Sequence, residues 1–100
     1  MSNIQTGFTN QVVMVTGATG NLGRATVQAF ADAGARIVAV DRNPDKQAQM
    51  HPALAQSQRH WLAAPVDLTS PEETQAVVEQ AVARMGRIDV LVNTVGGFRA

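Results

Sequence analysis

The sequence predicts an α/β protein built on a parallel sheet with helices on both faces. Three observations carry this. Short apolar runs alternate with segments of helical periodicity, in the order βαβαβαβ. The runs are apolar at successive positions, as in strands buried on both faces, not at every second position. Helical segments open on prolines (Pro44, Pro71) and stop at glycines (Gly34, Gly86).

The elements follow in order. "QVVMVT" (Gln11–Thr16) is a β-branched apolar run ending in a glycine loop, and reads as the first strand. Asn21–Ala33 reads as a helix, with Leu22, Ala25, Ala29 and Phe30 at helical spacing. "RIVAVD" (Arg36–Asp41) is a second strand. "RNPDKQ" turns the chain, and Pro44 opens a polar helix running to about Ser57. "HWLAAPV" (His60–Val66) is a third strand, with Pro65 inside it. The helix after it is the most strongly signalled. Ser70 can cap it, Pro71 suits its first position, and Glu73 completes an S-x-x-E capping box. Val77, Val78, Ala81, Val82 and Met85 form its apolar stripe. "IDVLVN" (Ile88–Asn93) is a fourth strand, and "TVGGFRA" follows.

Composition narrows the function. Of 100 residues, 45% are hydrophobic and 16% charged, which fits one globular domain. Eight basic residues balance eight acidic ones, and the absence of a basic field argues against nucleic-acid or membrane-surface partners. There is no cysteine, so disulfides and thiolate metal sites are excluded. His51 and His60 lie apart with no acidic ligand at metal spacing, so no metal site is expected. The start, "MSNIQTGFTNQ", lacks a basic region followed by an apolar run and does not read as a signal peptide. No apolar run approaches a membrane span of ~20 residues, and a cytoplasmic location is the default expectation.

The chemistry concentrates where the first strand meets the first helix. "TGATGNLG" (Thr16–Gly23) places glycine at 17, 20 and 23. Each glycine costs backbone entropy, so the loop must need them. A helix N-terminus carries free N–H groups and partial positive charge, and glycines let a pyrophosphate approach that backbone. Gly17 would make the tight turn, Gly20 would permit close approach, and Gly23 would let helix pack on strand. Thr19, Asn21 and Leu22 complete the candidate loop. A purely structural glycine turn is the competing reading. Asp41 ends the second strand 24 positions after Gly17, near the acidic position of a dinucleotide fingerprint. There a carboxylate can bind both adenosine ribose hydroxyls, though a turn or capping role also explains an Asp. Gly17, Asp41, Asp67 and Asn93 all fall at the carboxyl ends of strands, where open parallel sheets bind ligands.

"TGATGNLG", "VDLT" (Val66–Thr69) and "LVNTVGG" (Leu91–Gly97) together resemble the short-chain dehydrogenase/reductase family, in order and at matching intervals. The resemblance runs from Gln11 onward. It implies a Rossmann-type doubly wound sheet, four strands in order 3-2-1-4, and a nicotinamide dinucleotide held by the glycine loop. It implies that Asp67 contacts the adenine with Leu68 beside it. It implies that Asn93, Gly96 and Gly97 brace the sheet and approach the cofactor ribose. NAD is the preferred cofactor because Asp41 binds free hydroxyls, and NADP is the alternative because Arg42 can hold a 2′-phosphate.

Two positions depart from the family's commonest pattern. Its glycine loop is T-G-x-x-x-G-x-G, whereas here Gly20 is glycine and Asn21 is not. Its N-N-A-G reads Asn93-Thr94-Val95-Gly96 here, and Thr94 cannot make the amide contacts of an asparagine. The family's catalytic serine, its Y-x-x-x-K pair and its later asparagine all lie downstream of these motifs. This chain has no tyrosine, and its one lysine is Lys46. No catalytic residue is therefore assigned. The expectation is a truncated cofactor-binding half, with the fourth strand as an apolar edge that pairs with a second copy or with missing chain. A non-catalytic dinucleotide-binding module or sensor is the alternative. An S-adenosylmethionine methyltransferase fits less well, because Thr16-Gly17 and "NTVGG" follow the dehydrogenase pattern. A P-loop is excluded, since no Gly-Lys-Ser/Thr follows the glycines.

Overall fold

The structure, a computed structural model, describes residues 7–94. Eight elements run β1 (Val12–Thr16), α1 (Asn21–Asp32), β2 (Arg36–Val40), α2 (Pro44–Met50), α3 (Pro52–Ala55), β3 (Trp61–Ala63), α4 (Pro71–Met85) and β4 (Val90–Asn93). The four strands form one sheet in the order β3-β2-β1-β4, and every pairing is parallel. Val12 stands opposite Arg36 and Thr16 opposite Val40, while Thr16 also faces Asn93 on the other side. That register brings the carboxyl ends of β1, β2 and β4 level.

The alternation of a strand's side chains divides the core into two layers. Val12, Met14, Val38, Val40 and Ala63 point to one face and pack with Val77, Ala81 and Met85 of α4. Val13, Val15, Ile37 and Ala39 point to the other, and pack with Val27 of α1, Leu54 of α3 and the loop residue Ala18. Both layers exclude water from the central strands β1 and β2, which is why those two are apolar at successive positions instead of alternating.

Several boundaries differ from the sequence reading. The polar helix expected from Pro44 to Ser57 is two, α2 and α3, broken at His51. His51 precedes Pro52, and a residue before proline is pushed out of helical geometry; its φ and ψ are −125° and 59°. The third strand is three residues long and ends before Pro65, which cannot donate to a ladder. Ser70 caps α4 as expected, its Oγ accepting from the Glu73 N–H at 3.2 Å. Glu73 does not complete the box: its carboxylate accepts from the Asp67 N–H at 2.9 Å instead. Of the apolar stripe on α4, Val77, Ala81 and Met85 are buried while Val78 and Val82 are exposed. Gly86 ends the helix in the left-handed conformation, at φ 89°.

Candidate functional site

The loop from Gly17 to Gly20 leaves β1 by a left-handed turn at Gly17, φ 73°. Gly17 N–H and Ala18 N–H both donate to the Val40 carbonyl, tying the loop to the end of β2. Gly23 permits the next contact. A Cβ on it would lie 1.9 Å from the Gly17 carbonyl oxygen, so any side chain there would drive α1 off the strand end. Gly20 is different. A Cβ there would meet only the Gly17 oxygen, at an ordinary 3.5 Å. Nothing inside the protein demands glycine at 20; its effect is to leave the outer side of the helix start bare.

Gly20 is the N-cap of α1, and no side chain caps the helix. Its first turn holds no acidic residue either, whereas α2 is capped by Asn43 with Asp45 in its first turn, and α4 by Ser70 with Glu72 and Glu73. α1 therefore sets no side chain of its own against the positive end of its dipole. Asn21 and Leu22 project from this end, and Leu22 is 67% exposed.

Asp41 follows β2 and bends its carboxylate back onto the loop. Oδ2 accepts from both the N–H and the hydroxyl of Thr19, each at 2.9 Å. Oδ1 accepts from the N–H groups of Arg42 and Asn43 at 2.8 and 3.2 Å. Partial burial raises the carboxyl's pKa, but the four donors outweigh it and hold the group below its ordinary value. Asp41 is thus ionised throughout the neutral range. Thr19 is buried, and its polar groups are spent on Asp41.

Gly17, Val40, Asp41, Arg42, Val66, Asp67, Leu68 and Thr69 line a cleft of about 140 Å³ beside this loop. Val40, Val66 and Leu68 make it apolar, while Asp41, Arg42 and Asp67 supply charge. Asp67 Oδ1 accepts from the hydroxyl and N–H of Thr69 at 2.6 and 2.9 Å. Those two bonds, with Arg42 nearby, lower its pKa. The structure so brings together Gly17, Asp41, Arg42, Asp67 and Leu68 around one cleft; Thr19 is tied to it through Asp41, and Gly20, Asn21, Leu22 and Gly23 lead from that loop into α1 without lining the cleft.

Asn93 closes the other side. Its Oδ1 accepts from the Thr16 hydroxyl at 2.6 Å. Thr94, which lacks the family's amide, braces the site by its hydroxyl, donating to the Thr16 carbonyl at 2.5 Å and the Gly17 carbonyl at 3.2 Å. Gly96 and Gly97 lie outside the described residues. One contact had no signal in the sequence: His51, from the α2–α3 junction, is buried and places Nε2 2.9 Å from the Ala18 carbonyl oxygen. Among the described residues there is no group of three His, Cys, Asp or Glu that could hold a metal, and no helix long and apolar enough to cross a membrane.

A glycine-turned strand end, an uncapped helix start and an acidic group at the neighbouring strand end define a doubly wound nucleotide-binding fold. The chain belongs to the short chain dehydrogenase family, whose sequence profile matches residues 11–100. It is 33% identical to 2,3-dihydro-2,3-dihydroxybenzoate dehydrogenase of Bacillus subtilis (strain 168), over 93% of this chain and 36% of that protein. It is 33% identical to 7alpha-hydroxysteroid dehydrogenase of Escherichia coli (strain K12), over 84% of this chain and 33% of that one. A short-chain dehydrogenase/reductase (glucose/ribitol dehydrogenase) from Brucella melitensis superposes with a TM-score of 0.85, at 29% identity, over 97% of this chain and 40% of that structure. A 3-ketoacyl-(acyl-carrier-protein) reductase from the same organism, solved in complex with NADH, gives 0.74 at 26% identity over 83% of this chain and 33% of that structure. The chain spans about a third of the length of the curated relatives it matches.

Proposed function

We propose that these residues are the cofactor-binding portion of an oxidoreductase that transfers hydride between a nicotinamide dinucleotide and an alcohol or carbonyl substrate. The observation that carries this is the bare N-terminus of α1 at Gly20, set beside a cleft with an ionised carboxylate at its rim. The residues present fit such a cofactor. The uncapped helix start suits the pyrophosphate, the apolar cleft at Val66 and Leu68 suits the adenine, and Asp41 and Asp67 stand where ribose and adenine polar groups would come. Bound there, the dinucleotide would supply the hydride or accept it. The reductase neighbour solved with NADH supports the same reading.

NAD is the preferred form in this proposal. Asp41 is ionised, and a 2′-phosphate brought beside it would meet like charge in a partly dry cleft. Arg42, exposed at the same rim, is what would allow NADP. The location proposed is cytoplasmic. A dinucleotide-binding module without catalysis is the second reading. Titrating the full chain with NADH and NADPH, followed by nicotinamide fluorescence, tests the first step. Tighter binding of NADH is expected, and failure to bind either would sink the reading. A Y-x-x-x-K pair in the coding sequence beyond Ala100, with turnover of alcohols or ketones by the protein that carries it, separates enzyme from module.

A further inference from the structure

The peptide between Ala18 and Thr19 is held at both ends by side chains from elsewhere in the chain. Its N–H donates to Asp41 Oδ2 at 2.9 Å. Its carbonyl oxygen lies 2.9 Å from His51 Nε2. A carbonyl only accepts, so this contact requires the proton to sit on Nε2. His51 is itself firmly placed. Its N–H donates to the Gln47 carbonyl, its carbonyl accepts from the Ala55 N–H, and its side chain is 4% exposed. Ala18 is fully buried in the same layer as Leu54. The β2–β3 crossover therefore reaches back 33 residues to grip the glycine loop.

Such a grip matters for an anion site. A peptide group has a negative end, and a loop that binds phosphate must keep its carbonyls turned away from the ligand. If the Ala18–Thr19 peptide rotated, its carbonyl would leave the interior and the loop would have to be reordered on binding. Holding it beforehand removes that ordering cost from the binding step. We propose that His51 is a positioning residue for cofactor binding, which with Asp41 clamps the Ala18–Thr19 peptide and keeps the glycine loop in its phosphate-accepting shape. This rests on the dinucleotide reading above.

The test compares two variants of the full chain. His51→Gln keeps an N–H donor at a similar reach, while His51→Met fills the space without one. NADH dissociation constants are measured by fluorescence, and thermal midpoints are measured without cofactor. Loss of one buried hydrogen bond in the loop is expected to raise the Kd of His51→Met about tenfold, with His51→Gln within about threefold of the native protein. A native Kd for His51→Met overturns the proposal. So does equal weakening in both variants, which would mark a packing role. If His51→Met does not fold, ¹⁵N NMR of the native histidine decides: a proton on Nε2 is expected, and a bare Nε2 overturns the clamp. A native protein that binds neither NADH nor NADPH would instead sink the dinucleotide reading itself.

Discussion

Asp41 takes four hydrogen bonds on one carboxylate, and this reshapes what a substitution there should do. An ionised carboxylate offers about four lone-pair sites, so the group is both a loop tie and a source of charge. Asp41→Ser should weaken NAD binding about tenfold and improve NADP binding, because repulsion is removed while Arg42 remains and the Thr19 donors are released. Paired dissociation constants for the two cofactors check this, and tighter NADP binding by the unmodified protein would show that Arg42 governs the site. His60 makes a second prediction at this scale. Its Nδ1 accepts from the Ile37 N–H at 2.9 Å, which requires that nitrogen to be unprotonated. Partial burial, with Arg59 and Arg36 nearby, lowers its pKa below the ordinary value near 6.5. The unfolded chain then takes up the proton at a higher pH than the folded one. Stability should be full above about pH 6.5 and fall as the pH drops towards the lowered folded-state value. His60→Asn retains an acceptor that does not titrate in this range. Urea unfolding at several pH values should show a smaller loss between pH 7 and pH 5 for that variant than for the native protein.

Among the elements, α1 depends on its join to β1 more than on its own sequence. It has no side-chain cap, and its packing against the loop rests on the missing side chain of Gly23. The atom that a Cβ would strike is a backbone carbonyl oxygen, which cannot swing aside as a side chain would. Gly23→Ala should therefore cost about 3 kcal/mol of stability, the upper end for overpacking, although alanine favours helices. NADH binding should fall with it, because moving α1 moves its N-terminus. A Gly23→Ala protein of native stability by denaturant unfolding would contradict that packing. Gly20→Ala is the useful contrast: the fold has room for that methyl, so stability should hold while NADH binding weakens.

Across the whole molecule, the sheet is unequally covered. β1 and β2 are buried on both faces, but β4 lies at the edge of the described sheet, and its Leu91 is 62% exposed. Val78 and Val82 are exposed on α4, the helix that packs on the face of the sheet to which Met14, opposite Leu91, belongs. An apolar parallel edge of this kind recruits further strand, from the same polypeptide or a second copy. A purified chain of residues 1–100 should therefore self-associate. Light scattering that shows a stable monomer at high concentration would count against this.

The parts legible in the sequence were those written in local spacing. The glycine triplet, the Ser70 cap, the Gly86 stop and the apolar runs of β1 and β2 each depend on neighbours within a few residues, where propensity and sterics act directly. Their order along the chain determined a parallel sheet; Asp41 follows the end of β2 as read, whereas Asp67 lies in the loop four residues past the end of β3 and reaches the same cleft from there. What only the tertiary structure decided were contacts between segments distant in sequence. Glu73 prefers the Asp67 N–H to its own cap, because the β3–α4 loop brings that donor within reach. Thr94 replaces a missing amide with a hydroxyl, because β4 runs level with the end of β1. Val78 and Val82 belong to the apolar stripe of α4 but face out, because the helix is turned so that Val77, Ala81 and Met85 meet the core on this face of the sheet. His51 meets Ala18 because Pro52 breaks a helix at one particular turn. No periodicity encodes that meeting, since its two partners are set by where two crossovers happen to close on the same loop.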